Sequence, residues 1–247
     1  MRNFFLRIVE LLRQNLIHST LIKGFLYRIY WFRDKSKIKI ALLRVARKKK
    51  NVFLVNIGAN DGLTNDPLRE FVITKKWRGL MVEPIPYVFE RLKKVYKNRK
   101  GILLENAAIS NVNGKTDFWY IEKTKELRSG EDQIGSFDKK VVLKSIGECN
   151  FSKKHLIKGG IKCLTLEKLL TKYKIKKIDV FSIDTEGFDY EIIKQINFKK
   201  FKPQLIIFEH CHLNLKDKEA CFKLLNKNGY KIEDAEDRVN SIATRGF

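Results

Sequence analysis

The chain has 247 residues, 44% of them hydrophobic, which is enough to bury a core without disulfide staples. No stretch of 18 uncharged apolar residues occurs, and none of its four cysteines forms a C-x-x-C pair; this argues against a spanning helix and against a disulfide scaffold. The net charge is +23, and residues 1–50 supply +12 of it, because 14 Lys/Arg there face only Glu10 and Asp34.

Residues 1–50 are expected to form a basic helical arm, with residues 51–247 as the domain proper. Phe5, Ile8, Val9 and Leu12 recur at helical spacing, and the stretch 25–33 interleaves aromatic and basic residues. Such a helix can lie in a membrane interface, or pack on its own domain or on a second subunit; the readings stand side by side. Arg47-Lys48-Lys49-Lys50 reads as a solvated boundary. The scattered lysines beyond it read mostly as solvated surface.

From residue 51 strands and helices alternate. Val52–Ile57 reads as a buried strand, followed by a helix near 66–76. Gly79–Glu83 is a second strand, with Pro84 and Pro86 opening a helix over 86–97. A strand at 101–105 stops at Asn106. Thr116–Ile121 is a further strand, read as pairing locally after the Asn113-Gly114 turn. Residues 122–160 are irregular, as a functional loop would be. Ile161–Thr165 is expected to resume the sheet, with a helix at Leu166–Tyr173. The strand Ile178–Ile183 ends in Asp184-Thr185-Glu186-Gly187 and a helix over 188–196. Leu205–Phe208 ends in Glu209-His210; a helix near 217–227 and strands at 230–233 and 239–244 complete the chain. This alternation predicts an open, mostly parallel α/β sheet.

In such a sheet, ligands bind outside the carboxyl ends of the strands. Asn56, Asn60 and Asp61, then Glu83, Asn106, Asp184 and Glu186, and finally Glu209 and His210 close successive strands. Parallel strands would bring them to one rim. Gly58-Ala59-Asn60-Asp61-Gly62 lacks the Gly-x-Gly-x-x-Gly that makes room for a pyrophosphate. Glu83 follows Gly62 at the distance usual for an acid that holds ribose hydroxyls. Together these favour S-adenosyl-L-methionine over a nicotinamide dinucleotide.

The motifs Asn56-Ile-Gly-Ala-Asn-Asp-Gly62, Val82-Glu-Pro-Ile-Pro86, Asn106-Ala-Ala-Ile-Ser110, Leu164-Thr-Leu166 and Ile183-Asp-Thr-Glu-Gly187 resemble, in order and spacing, the FkbM family of S-adenosylmethionine-dependent methyltransferases. The likeness covers roughly residues 51–245. It implies a Rossmann-like class I methyltransferase fold with helices on both faces of the sheet, and methyl transfer to an oxygen. Gly58, Asn60 and Gly62 would shape the pocket for the methionine end, with Asp61 beside them. Glu83 would hold the ribose, and Asn106 and Ala107 would lie near the adenine. Asn56 stands where many class I methyltransferases have Asp or Glu; its amide can still accept a hydrogen bond from the cofactor's amino group. Family members decorate glycans, lipopolysaccharide and secondary metabolites, which makes a sugar or glycan hydroxyl the expected acceptor.

Methyl transfer from a sulfonium needs the acceptor oxygen in line and a group to take its proton. Asp184, Glu186 and His210 are the candidates for base and positioning groups; Asp184 alternatively caps the next helix. His210-Cys211-His212 does not read as a metal motif, because neighbours on a strand face opposite ways. Asp184, Glu186 and Glu209 could together take Mg²⁺, but no metal belongs to the expected site. A competing reading is a basic nucleic-acid-binding protein or nucleic-acid methyltransferase. It is disfavoured because the charge follows no recognisable motif and Asp184-Thr-Glu-Gly187 is unlike a Pro-Pro-Tyr motif. The absence of a signal-peptide core and the free thiols point to a cytoplasmic protein, peripheral at a membrane if residues 1–50 take the interfacial reading.

Overall fold

The computed structural model describes residues 36–64, 66–124, 133–147, 153–235 and 239–246. The aromatic and basic stretch at 25–33, on which the membrane reading rests, lies outside them. Among the described residues no helix is long and apolar enough to cross a membrane.

The described chain opens with helix α1 (Lys37–Lys48), capped by the Ser36 hydroxyl, which accepts from the Lys39 N–H. Strand β1 (Phe53–Ile57) leads through helix α2 (Arg69–Thr74) to β2 (Arg78–Val82), and helix α3 (Pro86–Tyr96) leads to β3 (Ile102–Glu105). Strands β4 (Ala108–Ile109), β5 (Gly114–Ile121) and β6 (Gly135–Ser136), helix α4 (Lys139–Ser145) and strand β7 (Leu156–Leu164) follow. Helix α5 (Leu166–Lys172), β8 (Val180–Ile183), α6 (Asp189–Lys194) and β9 (Leu205–Glu209) return to the main sheet. Helix α7 (Leu215–Lys227), β10 (Lys231–Asp234) and β11 (Asn240–Thr244) end the fold.

Seven strands form the main sheet in the order β10-β11-β9-β8-β1-β2-β3. β9, β8, β1, β2 and β3 run parallel to one another, and β11 runs antiparallel between β9 and β10. Strand alternation sends Leu54 and Val55 to opposite faces. Val55, Ile57, Phe181, Ile183 and Phe208 pack with residues of α5, α6 and α7. Leu54, Met81, Leu205 and Ile207 pack on the other face with residues of α1, α2 and α3. Helices cover both faces, as the doubly wound Rossmann-like reading requires.

Two local expectations are corrected. Thr116–Ile121 does not pair with the strand before it, and 161–165 does not rejoin the main sheet. Both belong to a second, four-stranded sheet of order β4-β7-β5-β6. β5 pairs antiparallel with β7 along its whole length, from Gly114 opposite Cys163 to Ile121 opposite Leu156. Phe118, Ile161 and Cys163 from this sheet join Ile85, Val88 and Ala108 in a separate apolar cluster. That long ladder outcompetes the short hairpin a Asn113-Gly114 turn alone would favour.

The basic run at 47–50 is also more than solvated surface. Lys49 Nζ lies 2.6 Å from Asp179 Oδ1, while Asp179 Oδ2 accepts from the Phe53 N–H. Burial pushes the Asp179 carboxyl up, but Lys49, the Phe53 N–H and Lys177 outweigh it and hold the pKa below the usual value. The start of β1 is thereby tied to the start of β8.

Candidate functional site

Strand order reverses between β1 and β8: the chain leaves β1 toward β2 on one side and later builds β8 on the other. A doubly wound sheet opens a crevice at that point. The backbone there fits only glycine at 58. Gly58 has φ +77°, and a Cβ on it would lie 1.7 Å from the Asp184 carbonyl oxygen. The Gly58 and Ala59 N–H groups both donate to the Val82 carbonyl at 2.9 Å, which pins the turn to the end of β2.

Glu83 closes this turn from the other side. One carboxylate oxygen accepts from the Asn60 N–H at 3.0 Å and the other from the Ile85 N–H at 2.9 Å. Burial pushes its pKa up to about 8, against the pull of those two donors and of Arg91. Asn106 Nδ2 donates to the Glu83 and Pro84 carbonyls at 2.7 and 3.0 Å, so it bridges the ends of β2 and β3.

The result is a cleft of about 490 Å³ of atom-free space, open mouth included. Ile85, Ala107, Ala108, Ile109, Phe118 and Phe137 give it an apolar lining fit for a purine ring. Gly58, Asn60, Glu83, Asp184, Thr185 and Glu186 give it a polar one.

Of the residues singled out in the sequence, the cleft gathers Gly58, Asn60, Glu83, Ala107, Asp184 and Glu186. Asn56 is buried one residue short of the rim, and Ile57 lines the cleft in its place. Asp61 is spent on its own turn: its carboxylate accepts from the Leu63 and Thr64 N–H groups and the Thr64 hydroxyl. Gly62 serves packing, since a Cβ there would meet Leu92 and Tyr96 of α3 at 2.6 Å. Asn106 acts on backbone and does not line the cleft. His210 is turned away. It is buried, with Nδ1 2.9 Å from the Ser241 hydroxyl and Nε2 3.9 Å from Asp234.

The histidine that reaches the acids is His212, whose Nε2 lies 3.1 Å from Glu186 Oε2 and 3.8 Å from Glu209 Oε1. Ser145 donates to Glu186 Oε2 at 2.8 Å, and Ser136 donates to the Glu186 carbonyl at 2.7 Å. Glu186 itself is held in the left-handed region, with φ +51°. Asp189, fully buried, accepts from the Thr185 hydroxyl and N–H and from the Glu209 N–H, which locks the ends of β8 and β9 together. Asp184 reaches solvent through the cleft. Desolvation by the surrounding protein, then Glu186, Asp189 and Glu83, raise its pKa well above the carboxylate range.

Replacing Glu83 by glutamine should weaken S-adenosylhomocysteine binding about 10- to 100-fold, the worth of one charge-assisted pairing. Lys176→Ala, on the exposed surface, is the control and should change it less than about twofold. A carboxylate accepts ribose hydroxyls better than a carboxylic acid does. Since Glu83 titrates near 8, wild-type affinity should climb as pH rises through 8 and level off about one unit above it. Calorimetry across pH 6–9 should show that slope in the wild type and a flat profile in Glu83→Gln. Equal slopes would remove Glu83 from the ribose.

The family model that matches this chain is the methyltransferase FkbM domain, over residues 56–232, well over half of the chain. No curated protein matches. Solved structures that it resembles include a methyltransferase FkbM from Methylobacillus flagellatus KT, 13% identical, covering 79% of this chain and 44% of that one with a TM-score of 0.48. The chain thus spans less than half of that protein. An RNA methyltransferase from Salinibacter ruber in complex with S-adenosyl-L-homocysteine is 10% identical over 85% and 92% of the two chains, with a TM-score of 0.42. A Methanococcus jannaschii fibrillarin pre-rRNA processing protein is 16% identical over 80% and 67%, also with a TM-score of 0.42. The protein belongs to the FkbM family of S-adenosylmethionine-dependent methyltransferases.

Proposed function

We propose that the protein transfers a methyl group to a hydroxyl of a sugar or glycan, with Asp184 contacting the acceptor oxygen and receiving its proton. One observation carries this reading. Asp184 and Glu186 line the same cleft as Gly58, Asn60 and Glu83, so an acceptor placed against the acids meets a cofactor held by the turn. A neutral hydroxyl attacking a sulfonium gains little nucleophilicity until its proton begins to leave. A carboxylate within hydrogen-bonding reach of that oxygen lowers the barrier as transfer proceeds. Polar ligands rich in hydroxyls suit the acidic lining, and the apolar lining suits the adenine.

The experiment has two parts. Calorimetry should first show one S-adenosylhomocysteine site per chain; no binding would overturn the whole reading. Purified protein with methyl-labelled S-adenosylmethionine should then label nucleotide sugars or oligosaccharides. Base-stable label confined to a hydroxyl of the glycan is expected. Label found only on protein or RNA would overturn the acceptor.

A further inference from the structure

Asp184, Glu186 and Glu209 each bring a carboxylate oxygen within 4.8 Å of the other two. In a chain with 51 Lys/Arg and 28 Asp/Glu, such a trio would ordinarily be answered by a base. Among the described residues no lysine or arginine forms an ion pair with any of the three; only His212 approaches, at Glu186 and Glu209. Three like charges at this range cannot all ionise unaided. Either protons or a cation must settle them.

One buried atom favours the cation. Glu209, its side chain 8% exposed, accepts from the Cys211 thiol at Oε1 and has Oε2 without a hydrogen-bond partner among the described residues. A bound dication would sit against all three carboxylates at once. A metal ion accepts a lone pair with no further partner. The remaining geometry is that of a ligand set held in place: the Glu209 N–H is fixed by Asp189, Glu186 Oε2 by Ser145, and Asp184 is open to the cleft. Supporting carboxylate ligands through such outer hydrogen bonds is usual in metal sites.

From this juxtaposition we infer that Asp184, Glu186 and Glu209 bind a divalent cation of the Mg²⁺ or Mn²⁺ kind at the edge of the methyl-transfer cleft. Three carboxylates are hard oxygen donors and leave further positions of an octahedral ion free. Two such positions would suit two neighbouring oxygens of one molecule, such as the adjacent hydroxyls of a sugar ring. The inference deepens the proposed function by restricting the acceptor to molecules that chelate. One Asp184 oxygen can ligate while the other receives the hydroxyl.

Electron paramagnetic resonance of Mn²⁺ titrated into the full chain with S-adenosylhomocysteine tests this. The free-ion signal should fall with one site per chain, and Mg²⁺ should restore it by competition. Glu209→Gln and Asp184→Asn should each weaken Mn²⁺ by about tenfold or more. Asp184 is exposed, so its variant should keep the wild-type melting curve even if the Glu209 variant does not fold. An unchanged free-ion signal at millimolar Mn²⁺ overturns the inference, as does full retention of binding in Asp184→Asn. Binding of Zn²⁺ alone, lost in Cys211→Ser, overturns it in favour of a Glu209–Cys211–His212 site. Calorimetry of S-adenosylhomocysteine on the same samples separates the two proposals. Cofactor binding with no Mn²⁺ site refutes only the cation, whereas a chain that binds Mn²⁺ and no cofactor refutes the methyltransferase cleft.

Discussion

Asp184→Asn should lower kcat for methyl transfer by about 10²- to 10⁴-fold, the usual worth of a positioned base, while S-adenosylhomocysteine affinity stays within about threefold of wild type. The asymmetry follows from where the residue stands. The backbone of Asp184 is what the cofactor turn packs against, through its carbonyl at Gly58, and the substitution leaves that untouched. Its side chain is open to the cleft beside Glu186 and makes no contact on which the turn depends. The pH profile provides the second readout. Burial among protein atoms and the neighbouring Glu186, Asp189 and Glu83 hold a proton on Asp184 well above the usual range. Glu209 is raised as well, to about 10, by desolvation and by Asp184, Glu186 and Asp189. A base that titrates high works better as pH rises, so the wild-type rate should increase from neutral toward alkaline pH, and the asparagine variant should lose that limb. If the variant loses cofactor affinity in proportion to rate, Asp184 is a binding residue and not the base.

The rim was legible in the sequence because strand ends in a parallel sheet are a one-dimensional signal. An apolar run followed by Gly58, Glu83 or Asp184 marks both the strand and the side on which it stops, and these three meet in the cleft. What the sequence hides is direction within a turn. Asp61 and Glu83 look alike as acids after strands, yet Asp61 bonds two and three residues ahead and Glu83 bonds across to Asn60. His210 and His212 are alike as well. Only the approach of β11 shows that Ser241 claims the first and leaves the second to Glu186. Asp189 carries a weaker signal: an acid five residues after Asp184, in the first turn of α6, suits the positive end of that helix, and here it binds back to Thr185. The second sheet was out of reach, because the partner of Gly114–Ile121 lies beyond a long irregular stretch and pairing at that separation leaves no local trace.

Gly58→Ala should be the most damaging single change, costing about 2–5 kcal/mol of stability and removing detectable cofactor binding. Two effects add. The left-handed φ of +77° costs a residue with a Cβ roughly 1–2 kcal/mol. The new methyl would then sit 1.7 Å from the Asp184 carbonyl oxygen, far inside contact distance, and the obstacle is backbone that no rotamer can move aside. Forcing such an atom into packed surroundings costs about 1–3 kcal/mol or more. Relief requires the ends of β1 and β8 to part, which displaces the turn from the Val82 carbonyl and Asp184 from the cleft together. In a domain of this size the melting temperature should fall by about 4–20 °C. Gly62→Ala provides the comparison. It has a similar φ of +67°, but its Cβ would press on the Leu92 and Tyr96 side chains, which can shift. It should cost the backbone strain and a repacking of Leu92 and Tyr96, yet keep cofactor affinity within about fivefold, because the seam with Asp184 is untouched. Equal losses of binding in the two variants would mean that strain in the glycine turn, and not the seam between Gly58 and Asp184, shapes the pocket.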